Sequence, residues 1–203
     1  MTAILKVDTI QDTAGNNIIN ESSDTITIGA SGDTIALAGT TVTGITQGIT
    51  EIDQWRLSAD LSISTLNTLT NITANWERND TSGFGRVGTG MTESSGTFTF
   101  PSTGIYLITT TFIFYSATGG SEYNRMSINT TTNNSSYTEQ DECSISTSTT
   151  PKRNSTSSSF IFDVTDTSQC KVRFYYYVQG NITLSASSSA NRTFATFTRI
   201  GDT

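Results

Sequence analysis

From Ile72 onward, apolar and polar residues alternate in short runs, the period-2 signature of β-strands. Candidate strands are ITANWERN (72–79), TFTF (97–100), GIYLITTTFIFYS (104–116), NRMSINTTT (124–132) and the Ser/Thr run to about residue 149. SSSFIFDV (157–164), KVRFYYYV (171–178), ITLSAS (182–187) and RTFATFTRI (192–200) complete the set. Turn chemistry separates them: Asp80-Thr-Ser-Gly83, Pro101-Ser-Thr-Gly104, Gly119-Gly120, Asp166-Thr-Ser, Gly180-Asn181 and Ala190-Asn191. About eight to ten short antiparallel strands with no helix between them predict an all-β, antiparallel jelly-roll sandwich.

Two of these strands carry more than a fold. An antiparallel strand of a lone sandwich is apolar on one face and polar on the other. GIYLITTTFIFYS places Ile105, Leu107, Thr109, Thr111, Ile113 and Tyr115 on one face. Its other face carries Tyr106, Ile108, Thr110, Phe112 and Phe114. KVRFYYYV does the same, with Val172, Phe174, Tyr176 and Val178 against Tyr175 and Tyr177. One face can fill the sandwich core; the other needs a second partner. Burying an aromatic side chain is worth roughly 2–3 kcal/mol, and a wet apolar face would sacrifice that and leave an exposed patch. Closed symmetric assembly removes the problem, because every copy buries the same face. The expectation is a homotrimer, with Tyr106, Phe112, Phe114, Tyr175 and Tyr177 as candidates for its seam or for the core.

The front of the chain reads differently. Residues 1–45 hold no aromatic residue and one Lys against five acids. Within them SDTITIGAS (23–31) is followed by GDTIALAGT (32–40), so that Asp24, Thr25, Ile26 and Ile28 recur as Asp33, Thr34, Ile35 and Leu37. Each unit is a short alternating stretch closed by a Gly-containing turn. A piece this small and this poor in bulky side chains cannot bury a core alone. The expectation is an extended β-repeat anchor or stalk wound with identical chains, the alternative a disordered polar arm. Residues 46–71 read as a connector and a first strand near Gln54–Ser58, and 72–203 as the jelly-roll head.

Composition narrows the function. The net charge of −7 disfavours nucleic acid, whose phosphates need a positive footprint. No apolar run is long enough to span a bilayer, so no membrane insertion is expected, and the first residues lack a signal-peptide pattern. Cys143 and Cys170 either bridge or sit as two small buried residues. With no histidine in the chain, His-based general-base chemistry and the commonest zinc sites are absent. Gly83-Phe-Gly85-Arg-Val-Gly88 fits GxGxxG, but nothing after it reads as a helix, so it is expected to be a connection between strands. Glu139, Asp141 and Glu142 form a tight acidic cluster that could serve glycoside hydrolysis or hold calcium. Their spacing matches no established calcium loop, and solvation is the plainer expectation. No enzyme, metal or cofactor is expected. The Ser-, Thr-, Asn- and Tyr-rich stretches Ser116–Asn124, Asn133–Ser148 and Pro151–Ser158 are expected as loops open to binding.

The run GTFTFPSTGIYLITTTFIFYS resembles the complement globular head, a jelly roll shared with tumour necrosis factor and its relatives. Phe98, Phe100, Pro101, Gly104 and Tyr106 carry the match, and the aromatic closing strand RTFATFTRIG fits it; the likeness covers about residues 52–201. The chain lacks the collagen stem of the complement-type proteins. ILKVDTIQDTAGNNII, SDTITIGASGDTIAL and NWERNDTSGFGRVGTGMTESSGTFTFPSTGIY resemble segments of marine bacteriophage virion fibres. That resemblance implies a trimeric tail fibre or fibre tip on the virion surface, joined to other virion proteins through the N-terminal segment. The head would present loops to a host-surface glycan or protein. A capsid decoration or head fibre without receptor role is the alternative, and a polysaccharide-degrading spike a third reading.

Overall fold

The computed structural model describes residues 48–147 and 151–203. The expected N-terminal repeat strands lie outside these residues. Among the described residues there are thirteen strands and no helix: β1 (Ile52–Leu57), β2 (Leu61–Ser62), β3 (Thr70–Asn71), β4 (Trp76–Arg78), β5 (Thr92–Ser94), β6 (Thr97–Thr99), β7 (Gly104–Ser116), β8 (Ser121–Thr131), β9 (Thr138–Thr147), β10 (Lys152–Val164), β11 (Lys171–Val178), β12 (Thr183–Leu184) and β13 (Phe194–Gly201). They form two antiparallel sheets packed as a jelly-roll sandwich. The first sheet runs β4-β1-β13-β7-β10, with β12 and then β2 continuing beside β7 past the end of β13. The second runs β5-β6-β11-β8-β9, with β3 beside the C-terminal half of β11.

The long strands match the alternation of the sequence; β7 and β11 have the expected ends. Three differences have physical causes. β10 begins at Lys152, because the full length of β7 offers ladder partners as far as Ser116, opposite Lys152. The stretch 72–79 contributes only Trp76–Arg78, because Asn75 turns the backbone left-handed with φ 66°. Strands β2, β3 and β5 have two or three residues, too short for a period to register.

The core is aromatic. Phe98 of β6 is fully buried, with its ring 5.6 Å from Trp55, 5.2 Å from Trp76, 5.4 Å from Phe174 and 5.3 Å from Phe197. Trp55, Trp76 and Phe197 belong to the first sheet and Phe98 and Phe174 to the second, so this one cluster fastens the two layers. Most of these rings meet edge-on or tilted, the arrangement that the ring quadrupole favours.

Two charges of β1 are enclosed, Asp53 on the core side of the strand and Arg56 on its other side, opposite Phe194. Asp53 accepts the Trp55 indole N–H at 2.8 Å, the Met91 amide at 2.8 Å and Arg78 Nε at 3.1 Å. Arg56 is fully buried and donates to Glu77 at 2.7 Å, Asp80 at 2.7 Å and Asn79 at 3.0 Å, as well as to Thr81 and the Ser188 carbonyl. A buried guanidinium is tolerated only when its donors are matched in this way. It ties the loop after β4 to the loop before β13.

Replacing Phe98 by Ala removes the ring that joins both sheets and is expected to cost about 3–5 kcal/mol. Urea denaturation followed by tryptophan fluorescence measures it. Asp53→Asn leaves Arg78 and two donors facing a neutral amide and is expected to cost about 3 kcal/mol or more in the same assay.

Candidate functional site

The clearest unpartnered surface is the outward face of β7 and its neighbours. Because side chains alternate, the Tyr106, Ile108, Phe112 and Phe114 side of β7 enters the core, where all four are buried. Ile105, Leu107, Thr109, Thr111, Ile113 and Tyr115 point away from it and are half-buried. Register extends this face sideways. Ile161 of β10 lies opposite Leu107, Ser157 opposite Thr111 and Arg153 opposite Tyr115, while β13 brings Phe194 opposite Thr111. Ile161 is 59% exposed, the most exposed large apolar residue among those described.

The face has an internal order. Ile105, Leu107 and Ile161 make an apolar group at one end; Ile113, Tyr115 and Phe194 make another. Between them lies a belt of hydroxyls, in which Thr111 and Ser157 share a hydrogen bond of 2.9 Å. Arg153 caps the Tyr115 ring with its guanidinium 4.9 Å from the centroid. Thr109, Thr111 and Ser157 of this belt line one pocket with Asp141, Glu142 and Cys143 of β9. The apolar groups on either side of it offer burial.

The five seam-or-core candidates therefore divide. Tyr106, Phe112 and Phe114 are core residues of one chain, so they are not seam residues. The outward set on the same strand, which carries Leu107 and Ile113, was present in the same alternation. Which set faces in is decided by packing and not by the pattern. Tyr175 and Tyr177 are half-buried on the outer face of the second sheet, on the opposite side of the molecule from the β7 face.

The family-like motif acquires a geometry. Phe98 and Phe100 enter the core, and Pro101 starts the turn before β7. Tyr106 reaches back to that turn: its hydroxyl lies 2.9 Å from Ser102 Oγ and 3.1 Å from the Ser102 carbonyl. Gly104 has φ 139°, and a Cβ there would stand 2.7 Å from the Gly201 carbonyl, so only glycine fits where β7 and β13 come together.

The expected binding loops shrink. Residues 138–147 of the stretch Asn133–Ser148 are β9, and residues 152–158 of Pro151–Ser158 belong to β10. Ser and Thr line an edge strand as readily as a loop, so the strand reading of the Ser/Thr run to about residue 149 and of 157–164 holds where the loop reading from composition does not. Ser116–Asn124 keeps only residues 117–120 outside strands. The acidic cluster is also on a strand, and its members are engaged separately. Glu139 and Glu142 flank Arg125, and Asp141 accepts from Ser158 Oγ and from the Ser159 amide at 3.1 Å. Asp141 thereby stitches β9 to β10, which share no backbone ladder. No three His, Cys, Asp or Glu side chains converge among the described residues. Cys143 and Cys170 are free thiols, and burial pushes the Cys143 thiol up from its ordinary value. The GxGxxG stretch links β4 to β5, with Val87 bridging Ile52.

A sandwich of this topology is a TNF-like jelly roll. Murine APRIL superposes with a TM-score of 0.54 at 15% identity, covering 74% of this chain and 98% of that one. The Eiger TNF of S. frugiperda superposes with a TM-score of 0.56 at 13% identity, covering 77% and 96%. At these identities the likeness is one of fold. No family model and no curated protein matches the chain.

Burial raises the Tyr106 hydroxyl pKa above its ordinary value of 10.0, against the opposing bond to Ser102. The folded chain therefore holds this proton more tightly than the unfolded chain does. The stabilisation is complete below about pH 10 and is lost as the pH rises through the folded value. Stability measured by urea melts is expected to fall more steeply above pH 10 than in Tyr106→Phe, which lacks the titrating group.

Proposed function

We propose that this chain is a structural and binding protein, not an enzyme, that works as a homotrimer. The outward face of β7, β10 and β13 carries the reading. Six apolar side chains lie on it in two groups; five are half-buried and Ile161 is exposed, so covering the face adds part of the roughly 1.5–3 kcal/mol that full burial of each is worth. A closed ring of copies buries the same face in every subunit and leaves no sticky end. A TNF-like jelly roll supports this, since the sheet that carries the face is the broad one of the sandwich.

The setting we propose is a bacteriophage virion, with the chain as a tail fibre or fibre tip. Residues 1–45 would join it to other particle proteins, and the head would face a host surface. Support comes from the sequence resemblance of the front segments and of residues 75–106, and from the two-part composition. The engagement of Glu139, Asp141 and Glu142 in local pairs supports a binding role over a hydrolytic one.

Light scattering on the purified chain is expected to give about 65 kDa, three times the 21.8 kDa of one copy. Leu107→Glu is expected to give a folded species of one-copy mass, because it places a charge on the buried face without touching the core. A one-copy mass for the unaltered chain would overturn the trimer. Immunogold microscopy with antibody to residues 52–203 is expected to mark fibre tips, and unlabelled particles would overturn the virion assignment.

A further inference from the structure

The outer face of the second sheet is built unlike the β7 face. Along β11, Arg173, Tyr175 and Tyr177 point outward in a row, and the register sets Asn129, Ser127 and Arg125 of β8 beside them. Rings and charges alternate. The Arg173 guanidinium sits 3.9 Å from the Tyr137 ring centroid, and Tyr123 meets Tyr177 edge-on at 5.6 Å. Glu139 and Glu142 answer Arg125, so the two arginines and two glutamates cancel and the face is neutral as a whole.

Hydrogen-bonding capacity is left over. Arg125 Nε and Asn71 Oδ1 have no partner among the described residues and are shut off from water. Asn71 lies opposite Tyr175 and Arg125 opposite Tyr177, so an idle acceptor and an idle donor flank neighbouring rings. The Tyr175 hydroxyl is likewise unpaired among the described residues. Leaving a buried polar group unmatched is costly.

We infer that this Tyr175–Tyr177 face binds a neutral saccharide chain. Sugar rings present flat C–H surfaces to stack on half-exposed aromatic rings and hydroxyls that both donate and accept, which the Tyr175 hydroxyl can meet. A polyanion would meet Glu139 and Glu142, and a polycation would meet Arg125 and Arg173. The row is linear, so it suits several consecutive sugar units. The inference rests on the attachment role proposed above, and three copies in one particle would multiply a weak contact.

Affinity electrophoresis of the full chain tests this, in native gels cast with dextran, galactomannan or xylan, and with dextran sulfate as the anionic comparison. At least one neutral gel is expected to retard the protein. Tyr175→Ala is expected to weaken that retardation by about tenfold, as for loss of an anchoring ring, while Tyr175→Phe keeps most of it. Tyr177→Ser serves as a second variant should Tyr175→Ala fail to fold by near-ultraviolet dichroism. Retardation by no neutral gel, by dextran sulfate alone, or equally in Tyr175→Ala overturns the inference. Light scattering on the same samples separates it from the trimer: one-copy protein that still binds sugar sinks the trimer alone, and trimers blind to every neutral gel sink the saccharide face alone.

Discussion

The structure depends on one strand that is apolar on both sides. β7 runs for thirteen residues through the first sheet, and alternation gives it two apolar faces, of which the core takes one. Tyr106, Ile108, Phe112 and Phe114 are taken up by the core, where they meet β10 on one flank and β13 on the other. What remains, Ile105, Leu107, Ile113 and Tyr115, is too apolar to be a solvent face. The sandwich is complete as a fold, and this leftover apolar face is what carries the proposed trimer.

Polar groups are handled with the same economy. The two buried charged groups of β1, Asp53 on its core side and Arg56 on its other side, are each saturated with partners. They hold loops that no ladder holds, since Arg56 bridges the segment after β4 to Ser188. At the open side of the sandwich, β9 and β10 run close without pairing. Asp141 supplies the missing connection by accepting from β10. Short polar side chains and charge along β9 also make it a poor template for stray strands. A cluster that resembles catalytic carboxylates in the sequence is thus part of how the edge is closed.

The two outer faces of the sandwich differ in kind, which bears on what each can do. The β7 face offers two apolar groups separated by hydroxyls, with one charge of each sign at its two ends, Arg153 beside Tyr115 and Asp163 beside Ile105, suiting contact with an identical surface. The β11 face interleaves tyrosines with balanced arginine and glutamate. Its composition suits a wet, hydroxylated partner more than a hydrophobic one.

Much of this was legible in the chain itself. Alternation is a local property, set by the geometry of a pleated strand, so the sequence by itself determined the all-β class, the ends of β7 and β11, and the existence of two competing apolar faces. The Phe98–Tyr106 motif likewise announced the jelly roll. Only the tertiary structure decided which face turned inward. It placed Tyr106, Phe112 and Phe114 in the core, and it put Tyr175 and Tyr177 on the far sheet, away from the β7 face. It also extended the strand expected from Ser157 back to Lys152, and turned the acidic cluster from a possible site into edge stitching. These outcomes depend on contacts between residues far apart in sequence, such as Lys152 with Ser116 or Asp141 with Ser159, and a pattern of period two carries no information about which distant strand will lie beside it.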